Sequence, residues 1–152
     1  HKEYRRQRQM CIRDRVCTSD HFCLGAAEMH LTPEGKKDPL LSVYDGHRGI
    51  HFNNDVAVVL PEDAVLLARD PTGQIEAVRF AERAWGVQFH PECTPEIFDA
   101  WTIGHGEKEW QQRLPWSEAV TVAETVRRDI DTVNAEEAFA ARFQELIDPE
   151  KR

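Results

Sequence analysis

Two residues near the middle of the chain, His90 and Glu92, have the types and spacing of a base and the carboxylate that orients it. Imidazole changes its proton load near neutral pH, and a neighbouring carboxylate fixes its tautomer and ring orientation. Pro91 stands between them. Its ring holds φ near one value and removes a backbone donor, so the pair sits in a stiff turn rather than a mobile loop. Such an arrangement is half of a nucleophilic catalytic apparatus: it lacks only the group whose proton the histidine takes.

The elements that must position this pair are short strands. Trp85-Gly86-Val87-Gln88-Phe89 runs directly into His90 as an apolar strand. Ile75-Glu76-Ala77-Val78-Arg79-Phe80 alternates ahead of it and predicts a strand covered on one face, joined to the next through Ala81-Glu82-Arg83 as a hairpin. Val56 to Leu60 and Val65 to Ala68 are rich in β-branched and aliphatic residues, with Pro61-Glu62-Asp63 between them. Glu28 to Leu31 is a further short strand, ended by the Pro and Gly of Thr32-Pro33-Glu34-Gly35. Asp70-Pro71-Thr72-Gly73 has the residue preferences of a type I turn. Downstream, Thr94 is placed to N-cap a helix with Pro95 at its first position and Ile97, Phe98 and Trp101 on its buried face, broken at Gly104-His105-Gly106. From Trp116 onward, Val120, Ala123, Val126, Ile130 and Val133, then Phe139, Phe143, Leu146 and Ile147, recur at helical steps. Asn134 with Glu137 has the form of a capping box that would divide this stretch, although one continuous helix satisfies the periodicity equally.

Trp85 to Glu92 resembles the His-Pro-Glu signature of the class I glutamine amidotransferases. Further segments in the same order resemble the C-terminal half of the GMP-synthase-like members: Leu31 to Gly35, Asp38 to Leu41, Asp55 to Pro61, Ala64 to Ala68, and Thr94 to Phe98. The resemblance covers residues 25 to 101 well and the helical tail more loosely. It implies an α/β fold, part of a flavodoxin-like amidotransferase domain with a mixed sheet and C-terminal amphipathic helices. It also implies a Cys-His-Glu triad that hydrolyses the glutamine side-chain amide, with His90 as base and acid and Glu92 as orienter. No cofactor is implied. His51-Phe52-Asn53-Asn54-Asp55 is similar to a family loop that approaches the amino-acid end of the substrate, making Phe52, Asn53 and Asn54 the substrate-binding candidates; a polar turn leading into a strand is the plainer alternative. Asn53 stands where the family commonly has histidine, and Phe52 where it commonly has tryptophan.

The triad's cysteine is not evident. Phe22-Cys23-Leu24-Gly25-Ala26 resembles the family's nucleophile elbow, but the elbow is followed at once by a helix, and Leu31 to Gly35 arrives too soon for one to fit. Cys23 also precedes His90 by only 67 positions, less than the family spacing. Cys17 fails on the same grounds, and Cys93 lies too close to Glu92. The expectation is that the nucleophile belongs to an upstream half, that this chain alone is inactive, and that its sheet has an exposed edge and poor autonomous stability. A γ-glutamyl C–N hydrolase, or a degenerate binding or regulatory domain, are the alternatives.

Composition sets wider bounds. With 152 residues, 41% hydrophobic and 30% charged, the chain holds one domain with a core. The four cysteines form no CxxC, and neither they nor the histidines show metal-ligand spacing, which predicts reduced thiols, no metal site and a cytoplasmic location. His21, His30, His47, His51 and His105 are expected to be surface or satisfied polar residues. No apolar run reaches membrane-spanning length. The net charge of −8 hides a basic head: the first fifteen residues carry six Lys or Arg against two acids, leaving 13 basic and 25 acidic residues, a net of −12, on the remainder. Arg6 to Arg15 resembles translated sequencing-adapter read-through, so residues 1–15 are taken as a non-native leader rather than a nucleic-acid-binding arm. Residues 16–113 are then the amidotransferase-like part and 114–152 a helical extension. The partners expected are glutamine or a γ-glutamyl small molecule, and a synthetase or a second copy of the chain, with no nucleic acid and no membrane.

Overall fold

A computed structural model of the protein describes residues 15–104, 116–130 and 135–148; side chains of 15–23, Asn54, 102–104, 116–119, Val122, Asp129 and Ile130 are not described. The strands are β1 (Arg15–Glu28), β2 (His30–Leu31), β3 (Arg48–Val59), β4 (Val65–Arg69), β5 (Ile75–Ala81) and β6 (Ala84–Val87), followed by helices α1 (Pro95–Gly104), α2 (Trp116–Ile130) and α3 (Ala135–Ile147). β1 pairs with β3, and β2, β4, β5 and β6 form a second sheet in that order; each of these pairings is antiparallel.

Local chemistry explains the punctuation. Asp70 Oδ1 accepts the Gln74 N–H at 2.8 Å, Gly73 N–H donates to Asp70 C=O, and Gly73 takes φ +90°, the left-handed residue that closes this β4–β5 turn. Thr94 Oγ1 accepts the Ile97 N–H at 3.3 Å, capping α1 as its sequence predicts. The buried Asp38 accepts the N–H groups of Leu40 and Leu41 and the indole N–H of Trp85, while Arg79 Nε lies 3.6 Å away. One carboxylate thereby starts the 3-10 turn Leu41–Tyr44 and ties it to β5 and β6.

Two apolar clusters form the interior. Met29, Leu40, Leu41, Tyr44, Leu67, Ala68, Ala77 and Phe89 make one, with Ala135 and Phe139 of α3 against it. Ile50, Cys93, Phe98, Ala123 and Val126 make the other, joining α1 and α2 to β3 and to Leu24 and Ala26 of β1. Four sequence expectations are corrected. β3 begins at Arg48, so the segment read as a polar loop, 51–55, is strand. β5 is buried on both faces from Ile75 through Val78, Glu76 included, because Ala77 faces the first apolar cluster while Glu76, on the opposite face, meets His51 of β3. In the helical tail, Val120, Phe143 and Ile147 are exposed, because the sides of α2 and α3 that pack inward carry Ala123 and Val126, and Ala135 and Phe139. The fourth is His51, which is buried at 4% exposure with Nε2 unpartnered rather than at the surface. Asn134, His21 and His105 lie outside the described residues or side chains.

Candidate functional site

The His90 turn is stapled between the two cores. Phe89, on one side, is 2% exposed in the first cluster; Cys93, on the other, is 4% exposed in the second. Phe89 packs its ring against Tyr44 and Phe139. It also passes directly over Gly49, where a Cβ would come within 2.8 Å of the Phe89 Cβ, so only glycine fits there. Backbone bonds complete the mounting: Gln88 N–H donates to Glu76 C=O at 2.8 Å, His90 N–H to Ile50 C=O at 2.8 Å, and Cys93 N–H to His90 C=O at 3.1 Å. The second of these spans from the segment after β6 to β3, joining the two sheets beneath the histidine.

His90 Nδ1 stands 2.8 Å from Glu92 Oε1. The predicted pair is therefore formed, with the His90 side chain 29% and Glu92 58% exposed. The ring is flanked by two residues that sequence reasoning did not connect to it. Trp101 of α1 meets it edge-on at 4.7 Å between centroids. Asn53 Oδ1 lies 3.2 Å from Nε2, while Asn53 Nδ2 donates to Gln88 C=O at 2.8 Å. No periodicity or local motif links positions 37 and 11 residues from His90; only the β3 register and the α1 packing bring them in. Phe52 packs against Trp101 with its ring tilted, 5.5 Å between centroids. A cleft of about 550 Å³ opens here, lined by Phe52, Asn53, Asp55, Gln88, His90 and Glu92 among others. Of the three substrate-binding candidates, Phe52 and Asn53 line it; the Asn54 side chain is not among those described.

Electrostatics behind the site are set by burial. His51 Nδ1 and Glu76 Oε2 lie 3.6 Å apart, with Glu76 Oε2 and His51 Nε2 unpartnered. Burial pushes the His51 ring down to about 4 and the Glu76 carboxyl up to about 8, with Asp70 adding to the latter. Burial thus favours the uncharged form of both. Burial, reinforced by Glu92, raises the Cys93 thiol to about 12. Cys23, in the sequence that resembles an elbow, lies in β1 opposite Asn53. Among the described residues no cluster of three His, Cys, Asp or Glu could hold a metal ion, and no helix is long and apolar enough to cross a membrane.

Comparison with known proteins bears on this geometry. The chain covers 90% of its own length on a solved glutamine amidotransferase from Thermotoga maritima, at a TM-score of 0.68 and 14% identity, and 90% on a glutamine amido transferase from Methylobacillus flagellatus, at 0.70 and 19%. Its fold is class I glutamine amidotransferase-like. In sequence, the amidotransferase-like chain is 41% identical over 66 residues, 43% of its length, to the glutamine-hydrolysing GMP synthase of Hahella chejuensis (strain KCTC 2396). No family model matches it. The chain spans 11% of that curated relative and 56% and 57% of the two solved ones.

Proposed function

We propose that this chain carries the His-Glu portion of a Cys-His-Glu triad in a protein that hydrolyses the side-chain amide of glutamine, or of another γ-glutamyl compound. The observation that carries the reading is the 2.8 Å contact of His90 Nδ1 with Glu92 at an open cleft. With Nδ1 so engaged, Nε2 is the nitrogen that exchanges protons with the reacting groups. A thiolate adds to the amide carbon, Nε2–H protonates the departing nitrogen as ammonia, and a thioester forms. Water then adds to the thioester as the ring takes its proton, releasing glutamate and restoring the thiolate and the imidazolium. Phe52, Asn53 and Asn54, on the strand beside the pair, are the residues proposed to lie at the substrate's amino-acid end, Asn53 with its amide also engaged by His90.

The nucleophile in this reading is not one of the chain's own cysteines. A buried thiol raised to about 12 is inert at neutral pH, which argues against Cys93. Cys23 lies within a paired strand, without the helix N-terminus that would activate an elbow thiol. The thiolate is supplied by sequence beyond this chain, and the chain alone is inactive. Because the Hahella relative is a synthase, a synthetase domain or subunit that consumes the ammonia is the partner proposed, in a cytoplasmic setting.

The test is to recover the full-length gene from its source DNA and purify the encoded protein. Glutamine hydrolysis by wild type, reduced ~10³-fold or more in His90→Ala, is the expected result. Equal turnover in both proteins, or a gene with no elbow cysteine, would instead assign the fold to a non-catalytic binding domain.

A further inference from the structure

The Asn53 amide is held in one orientation by two contacts to the backbone. Its Nδ2 donates to Gln88 C=O at 2.8 Å, and its Oδ1 accepts the Phe52 N–H at 3.2 Å. Turning the amide over would set oxygen against the Gln88 oxygen and NH₂ against the Phe52 N–H. The atom presented to His90 Nε2 at 3.2 Å is therefore the oxygen, which can only accept. Glu92, at Nδ1, also presents an acceptor. An imidazole between two acceptors is satisfied on both sides only when each ring nitrogen carries a proton.

Resting on the glutaminase reading above, we infer that Asn53 is a positioning residue that keeps the proton on His90 Nε2, so that His90 begins the cycle as a proton donor rather than as a base. The consequence for the reaction is specific. A ring already protonated matches a cysteine already present as thiolate, and the first proton transfer is from Nε2 to the departing ammonia. The ring becomes a base only in the second half, when water attacks the thioester. Asn53 acts through His90 alone, its amide being committed to protein groups on both sides. The other groups facing the ring are consistent with this assignment. Trp101 has no charge, burial disfavours charge on His51 behind it on β3, and the ionisable groups at the cleft beside the ring, Glu92 and Asp55, are carboxylates.

The experiment is ¹⁵N-labelling of this 152-residue chain and long-range ¹H–¹⁵N correlation of the His90 ring, assigned with His90→Gln, across a pH series for wild type, Asn53→Leu and Asn53→Asp. In wild type both ring nitrogens give protonated shifts, and Asn53→Leu moves the transition to lower pH by about a tenfold change in proton concentration, the loss of one acceptor to a charged donor. Asn53→Asp keeps an acceptor at Nε2, so it moves the transition the other way, which a merely structural loss would not do. A wild-type ring with an unprotonated Nε2 facing Asn53, or an Asn53→Leu transition that coincides with wild type while Asn53→Asp also leaves it in place, would overturn the inference. These signals do not depend on turnover. Failure of glutamine hydrolysis in the full-length protein is thus separable from failure of the Asn53 assignment.

Discussion

Glu76→Gln should stabilise this protein, by an amount that grows with pH. Glu76 is 3% exposed, its Oε2 has no hydrogen-bond partner, and burial raises its carboxyl from 4.5 to about 8. An acid that holds its proton more tightly folded than unfolded contributes no penalty below about pH 4.5. Above that, the unfolded chain ionises while the folded one does not, and stability falls until pH 8. At pH 7 the window crossed is about 2.5 pH units, which bounds the cost at about 3 kcal/mol. At pH 5 the same arithmetic leaves about 1 kcal/mol or less. Glutamine keeps the shape and removes the ionisation, so the variant should gain up to ~3 kcal/mol at pH 7, or roughly 6–12 °C in Tm for a chain of this size. His51 moves the opposite way: its folded value of about 4 lies below 6.5, so its contribution is intact above pH 6.5 and is lost as pH falls toward 4. Urea denaturation of both proteins at pH 5, 7 and 8 measures the difference directly. The reasoning is refuted if Glu76→Gln is less stable than wild type at pH 7. That result would mean Glu76 and His51 are an ion pair, since removing one partner of a buried pair costs ~3–5 kcal/mol.

Three other outcomes follow from the geometry. Gly49→Ala places a Cβ 2.8 Å from the Phe89 Cβ, and the overpacking should cost ~1–3 kcal/mol in a denaturant melt and displace the His90 turn that Phe89 anchors, seen as shifted His90 ring resonances. Cys93 should resist alkylation by iodoacetamide at pH 8 in the folded chain and react on unfolding, as read by intact-mass spectrometry, because its thiol is 4% exposed and raised to about 12. Thr94→Ala removes the acceptor for the Ile97 N–H and should lower stability by ~1 kcal/mol, measured by denaturation, whereas Thr94→Ser keeps the hydroxyl and should leave most of the stability in place.

Much of the chemistry was written in short stretches of sequence. The His90-Pro91-Glu92 turn, the Thr94 cap with Pro95 and the Asp70-to-Gly73 turn each depend on side chains bonding to backbone or neighbours within four residues, and such local bonds form wherever the residue types occur in that order. The resemblance of Trp85 to Glu92 likewise pointed to the fold that the solved amidotransferases share. Tertiary structure decided what faces what. β5 alternates in sequence as a half-covered strand does, yet it is buried on both faces, because whether the second face is covered depends on elements far away in the chain. His51 and Glu76 are ordinary polar letters until β3 and β5 bring them together in the interior, where burial disfavours their charges. Asn53 and Trp101 reach His90 only through strand register and helix packing. Local order in the chain specifies turns and caps because their bonds close within a few residues; the cage around His90 closes across 37, and only the assembled cores hold its two sides at hydrogen-bonding distance.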